Sequence, residues 1–116
     1  MRQRLTILLL VITTLLNGAI YAKEIVPIDD INTSPINFDG KKIWLSGIAK
    51  EPTRVPFLNL KRYVLEDDSG QIGIFTSEAL PNMQKNITVR VRVESLAIIG
   101  GKPLGMTVVE LERHEQ

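Results

Sequence analysis

Few side chains in this 116-residue chain could break or make bonds, and their spacing keeps them apart. There is no cysteine, and the one histidine is His114. Thiol catalysis, disulfides, zinc ribbons and iron–sulfur clusters are left without ligands, and a histidine-rich metal site is excluded as well. Paired carboxylates occur at Asp29-Asp30 and Asp67-Asp68. Neighbours in an extended segment point to opposite faces, and such pairs are more often turn formers. A nuclease or glycosidase needs convergent acids with a base or a metal. Ser69 has no histidine partner for a triad, and Gly100-Gly101 has no following helix with which to cradle a phosphate. The sequence carries no catalytic residue, metal-ligand set or cofactor motif, so the expectation is a protein that is not an enzyme.

What remains is the chemistry of binding. Trp44, Arg62 and Phe75 combine aromatic rings with a guanidinium, and Lys50, Arg54 and Lys61 crowd the same stretch as Arg62 with Glu51 as the nearby acid. Lys102 adds a cation in a later glycine-rich segment. Rings that stack bases beside a cationic groove are the means of single-strand recognition, worth about 1–3 kcal/mol per stacked base. Single-stranded nucleic acid, or another extended anionic ligand, is the partner this set would take. The competing reading has Trp44 and Phe75 packing on residues 23–38 or covering one end of the fold, with the lysines merely solvating loops. Two apolar runs, Val55-Pro56-Phe57-Leu58 and Leu96-Ala97-Ile98-Ile99, also admit two readings. Val55, Phe57, Leu58, Ile98 and Ile99 form a rim that docks on an envelope protein or a lipid surface, or the runs plug one end of the fold.

These residues must be positioned by strands. From Ile43 onward apolar residues mostly alternate, which is the period of a half-buried strand. Ile43, Leu45 and Ile48 are expected to face inward across a bend at Gly47. A second strand spans residues 62–67 with Tyr63 and Leu65 on one face, and Gly70 supplies the turn into a third, residues 71–76. There Ile72 and Ile74 face in, Gly73 and Phe75 out. Residues 77–85 connect to the clearest strand, where Ile87, Val89, Val91 and Val93 alternate with polar residues. A loop with Gly100, Gly101, Pro103 and Gly105 precedes a last strand over residues 106–113 whose facing is ambiguous, because Val108 and Val109 are adjacent. Residues 23–38 form an arm or a short helix. All-β, with a bent first strand and long one–two and four–five loops, is the outline of a five-stranded OB-fold-like Greek-key barrel over residues 39–116. An open five-stranded sandwich is the alternative. In such a barrel the binding face is the outer wall of strands two and three.

The first stretch reads as an address. Arg2 and Arg4 precede an apolar run from Leu5 to Leu16, then Asn17-Gly18 and a small residue at Ala22. A cationic start, an apolar core of about 7–15 residues and a small residue before the cut describe a secretory signal peptide. Cleavage is expected after Ala22, which places the protein in the periplasm or outside the cell. Retention as an anchor would ask for about 20 apolar residues. Removal of residues 1–22 leaves 94 residues with 12 Lys and Arg against 13 Asp and Glu, and no transmembrane span. With 44% hydrophobic and 23% charged residues the chain is neither disordered nor a polyelectrolyte binder.

The strings Asp39-Gly40-Lys41, Ile43-x-Leu45-x-Gly47, Pro56-Phe57-Leu58 and Tyr63-x-Leu65-x-Asp67-Asp68-Ser69-Gly70-x-Ile72 resemble those of small exported bacterial OB-fold domains. Ala79-Leu80-Pro81, Ile87-x-Val89-x-Val91, the Gly100–Gly105 loop and Glu110-Leu111-Glu112-Arg113 continue the likeness. It is more distantly similar to the periplasmic bacterial OB-fold stress proteins, with Val91 where those patterns place a second mid-strand glycine. The resemblance rests on turn glycines and core alternation. It implies an OB-fold of the nucleic-acid-binding type, with no catalytic motif to carry over.

Overall fold

In a computed structural model, which describes residues 23–94, 98–99, 102–103 and 105–115, the strand alternation closes on itself. The expected leader, residues 1–22, lies outside the described residues, as do the side chains of Ile98, Ile99 and Lys102. Strands β1 (Lys42–Val55), β2 (Leu60–Glu66), β3 (Gln71–Thr76), β4 (Asn86–Glu94) and β7 (Thr107–Glu115) form one closed barrel in the order β1-β2-β3-β7-β4. This is the OB-fold-type barrel that the alternation predicts, and the open sandwich is set aside. The four–five loop holds a small ribbon of its own, β5 (Ile98–Ile99) against β6 (Lys102–Pro103).

Strand β1 serves both halves of the wall. Lys42 to Ile48 pair with β4, and Ile48 to Val55 pair with β2. At the bend Leu45, Gly47 and Ala49 face inward and Ile48 turns outward, 39% exposed, against the expected inward Ile48. The reason is steric: a Cβ on Gly47 would stand 2.4 Å from the Glu66 carbonyl oxygen, so glycine keeps the inward phase where strands cross closely. The expected long one–two loop is mostly ribbon. Glu51 takes a positive φ of 53° beside Pro52, the register shifts there, and pairing resumes as Thr53↔Arg62, Arg54↔Lys61 and Val55↔Leu60. A bulge of this kind lets a strand continue past a proline.

The core is the set of inward positions on these strands: Leu45, Tyr63, Leu65, Ile74, Ile87, Val89, Val91 and Val93 are fully buried. Val64, on the outer side, is also buried, at 7% exposure. Between β3 and β7 the described residues give a single parallel pair, Phe75↔Val109.

Two segments outside the strands add to the core. A short helix, α1 (Ile28–Thr33), buries Ile28 and Ile31 in the same core cluster as the strands. Six residues cannot hold a helix alone, and its first amides find acceptors on the β2–β3 turn. Ile28 N–H donates to Asp67 Oδ2 at 3.0 Å and Asp29 N–H to Ser69 Oγ at 2.9 Å. Asn32 Nδ2 donates to the Gln71 carbonyl at 2.8 Å. A 3-10 turn, Pro35–Phe38, then leads to β1. Residues 77–85 form no helix, and Leu80 and Met83 pack against the core.

Candidate functional site

The outer wall of β2 and β3 is built around one cross-strand pair, Arg62↔Phe75. Both side chains are half-buried. Next to Phe75 on the same face, Gly73 leaves the wall bare, and the Arg62 guanidinium lies across it: a Cβ there would stand 2.1 Å from Arg62 Nη2. Glu51, Arg62, Val64, Gln71, Ile72 and Gly73 line a shallow groove of about 310 Å³. Among the described residues the Arg62 guanidinium takes part in no hydrogen bond or ion pair. A flat cation beside an aromatic ring, both open to solvent, can stack a planar group and neutralise a phosphate.

The other cations expected at this site stand on strands, not in a loop, and are partly engaged. Lys50 pairs with Glu66 at 3.2 Å, and Lys61 Nζ donates to the Glu78 carbonyl at 3.0 Å. Arg54 faces Lys61 across the ribbon and is exposed. Strand alternation puts Arg54 and Lys61 on the opposite face of the ribbon from Arg62.

Trp44 is not part of this wall. It lies on the half of β1 that pairs with β4, opposite Arg90, and the arm covers it. Ile25 bridges Trp44 in parallel, Val26 N–H donates to the Trp44 carbonyl at 2.9 Å, and Lys23 Nζ sits 4.6 Å from the ring centre. The His114 ring is 5.7 Å away, centre to centre. For Trp44 the packing reading holds: the arm shields an edge of β1 that would otherwise be unpaired.

The Val55–Leu58 run does not plug the barrel. Val55 is half-buried, but Phe57 is 104% and Leu58 63% exposed at the tip of the β1–β2 ribbon.

Beyond the groove the charge reverses. A cleft of about 470 Å³ is lined by Ser46, Gly47, Ile48, Glu66, Asp67, Asp68 and Asn86. Glu66 is held below the usual carboxylate range, first by the Gln71 side-chain amide and then by Lys50. For Asp67 partial burial acts upward, but donors on Ser69, the Ile28 amide and the Gly70 amide together outweigh it, and its pKa is lowered. Both stay ionised at neutral pH, so this end repels anions.

One polar cluster escapes the sequence reading. Glu110, its side chain 4% exposed, accepts from Tyr63 Oη at 2.6 Å, Thr76 Oγ1 at 2.8 Å and Arg113 Nη1 at 2.9 Å. Arg113 Nη2 reaches on to the Ala79 carbonyl at 2.7 Å, tying residues 77–85 to β7. Burial, then the Glu110 carboxylate, pushes the Tyr63 hydroxyl pKa well up, so it remains a donor. Tyr63 falls in the inward phase of β2, which is the one sequence signal for a buried partner. The inward phase of Glu110 is hidden by the Val108-Val109 pair and by the register shift between Arg90 and Val91. The cluster is packed and satisfied, and it holds no open position for a substrate.

No family model matches the chain, and no curated protein matches it. Solved structures do. Asparaginyl-tRNA synthetase of Pyrococcus horikoshii, complexed with asparaginyl-adenylate, is 18% identical over 79% of this chain and 22% of that one, with a TM-score of 0.60. An aspartyl-tRNA synthetase assignment from Leishmania major Friedlin matches at 10% identity over 82% of this chain and 21% of that one, TM-score 0.59. OBody AM3L09, bound to hen egg-white lysozyme, matches at 10% identity over 68% of this chain and 84% of that one, TM-score 0.52. The chain thus spans about a fifth of the length of the two synthetases. At these identities the likeness is one of fold: the chain has the OB-fold-type barrel.

Proposed function

We propose that this chain is an exported, non-catalytic binding module whose outer β2–β3 wall takes single-stranded nucleic acid or another extended anionic polymer. The observation that carries the reading is the Arg62↔Phe75 pair, a ring beside a guanidinium that has no partner among the described residues, on the open wall. Phe75 stacks a base and Arg62 meets a phosphate. The acidic cleft around Glu66, Asp67 and Asp68 keeps the ligand on the half of the wall nearer the cationic ribbon. That barrels of this shape occur in tRNA synthetases supports the reading by analogy of fold. Export rests on the pattern of residues 1–22, a cationic start followed by an apolar run and Ala22.

The test is titration of a fluorescently labelled single-stranded oligonucleotide at low and at high salt. Binding that weakens steeply with salt, and weakens further in Arg62→Ala, is expected. No binding at low salt removes the proposal. Export is checked separately by N-terminal sequencing of the protein recovered from cells, where Lys23 is the expected first residue.

A further inference from the structure

The tip of the β1–β2 ribbon has no role in the wall just described, yet its chemistry is specific. Phe57 is 104% exposed, and its neighbour Leu58 is 63% exposed. Phe57 also holds a φ of 66°, a conformation that bulky side chains rarely adopt. The fold thus keeps the most exposed aromatic among the described residues on a turn that disfavours it, a combination found where strain serves a function. Just behind the tip Arg54 and Lys61 face each other on one side of the ribbon, while Arg62, on the other, turns away from the tip over Gly73. The apolar point is therefore backed by two cations on one face, with Glu51 as the acid on β1.

We infer that this tip is an interfacial anchor for an anionic bilayer: Phe57 and Leu58 enter the boundary between headgroups and acyl chains, and Arg54 and Lys61 meet the lipid phosphates. Two features favour lipid over protein. A protein interface of ordinary size buries about 800 Å² on each partner, and a convex point of two side chains offers far less. A bilayer needs no complementary pocket, and an anionic one supplies phosphates to the Arg54 and Lys61 cations that stand behind an inserted apolar tip. The penetration is shallow, because the turn amides and carbonyls beyond the Leu58 N–H to Val55 carbonyl bond must stay hydrated. The inference does not rest on nucleic-acid binding.

The test uses the full chain carrying Trp44→Phe and Phe57→Trp, so that the fluorescent ring sits at the tip. Vesicles of phosphatidylglycerol and phosphatidylcholine, the latter with brominated acyl chains, should shift its emission to the blue and quench it. Pure phosphatidylcholine vesicles should do so several-fold less, and Arg54→Glu should weaken the response to the anionic vesicles. Placing the probe at the tip separates its insertion from any membrane affinity of residues 1–22. Emission unchanged by anionic vesicles would overturn the inference and leave a protein partner as the occupant. A response equal on both vesicle types and indifferent to Arg54→Glu would overturn the role given to the cations.

Discussion

Thr76 Oγ1 donates to Glu110 Oε2 at 2.8 Å across the line where β3 and β7 meet, and where the described backbone gives the single pair Phe75↔Val109. Side chains thus complete a closure that the main chain barely makes. Tyr63 from β2 and Arg113 from β7 converge on the same carboxylate, so one buried group links three strands.

Replacement of Glu110 by Ala should cost about 3 kcal/mol, the low end for a broken buried pair, because Arg113 keeps the Glu115 carboxylate at 3.7 Å and the Ala79 carbonyl while Tyr63 and Thr76 lose their acceptor. Tyr63→Phe removes one donor and keeps the Glu110–Arg113 pair, so about 1 kcal/mol is expected. Urea unfolding of both variants measures the contrast. Equal losses would show that the cluster does not close the barrel.

Two glycines should respond differently to the same added methyl. At Gly47 the new Cβ meets the Glu66 carbonyl, which is backbone and cannot step aside. At Gly73 it meets the far end of Arg62, which can swing away. Gly47→Ala should lose about 3 kcal/mol or fail to fold, since overpacking costs 1–3 kcal/mol even where neighbours relax. Gly73→Ala should keep the stability of the parent within about 1 kcal/mol, the cost of a shifted rotamer, while weakening oligonucleotide binding by displacing Arg62. Thermal melts and the binding titration separate the two effects.

Acid should loosen the α1 seat through Asp67. Its folded pKa lies below the unfolded value of about 3.9. A depressed carboxylate contributes stability that is complete above the unfolded pKa and is lost as pH falls through the folded one. Asp67→Ala should cost about 1–2 kcal/mol at neutral pH, the range of a lost helix cap. Its stability should also fall less steeply than the parent's on acidification. Unfolding midpoints across the acid range check both statements.

On the outer wall Phe75→Ala should remove about 1–3 kcal/mol of single-strand binding. Arg62→Ala should lower the salt slope by about one. Trp44→Ala should leave binding unchanged and instead expose the arm to proteolysis, which limited chymotrypsin cleavage at Phe38 would report.

The barrel was legible because its inward residues obey a simple period: Ile87 to Val93 and Ile72 to Ile74 could be placed by alternation alone. Where the period broke, the physics was local. Ile48 turned outward because Gly47, not a larger residue, took the inward place at the crossing. The ribbon from Glu51 to Leu60 looked like a loop because Pro52 and the bulge interrupt the pattern, yet pairing on either side recovers. Trp44 was grouped with Phe75 by residue type. Assigning them to different walls requires the strand order, and one-dimensional spacing does not carry it. Glu110 stayed hidden because its neighbours share no clear phase, so a buried carboxylate looked like part of a solvated charged tail.

The seat of α1 reverses the order in which the molecule is made. Its first two amides wait for acceptors 39 and 40 positions downstream. The stretch that leaves the ribosome early therefore cannot lock until residues 67–70 have emerged. Until then the nascent polymer lacks both that seat and every barrel strand beyond β2, and it stays pliable enough to be threaded or escorted.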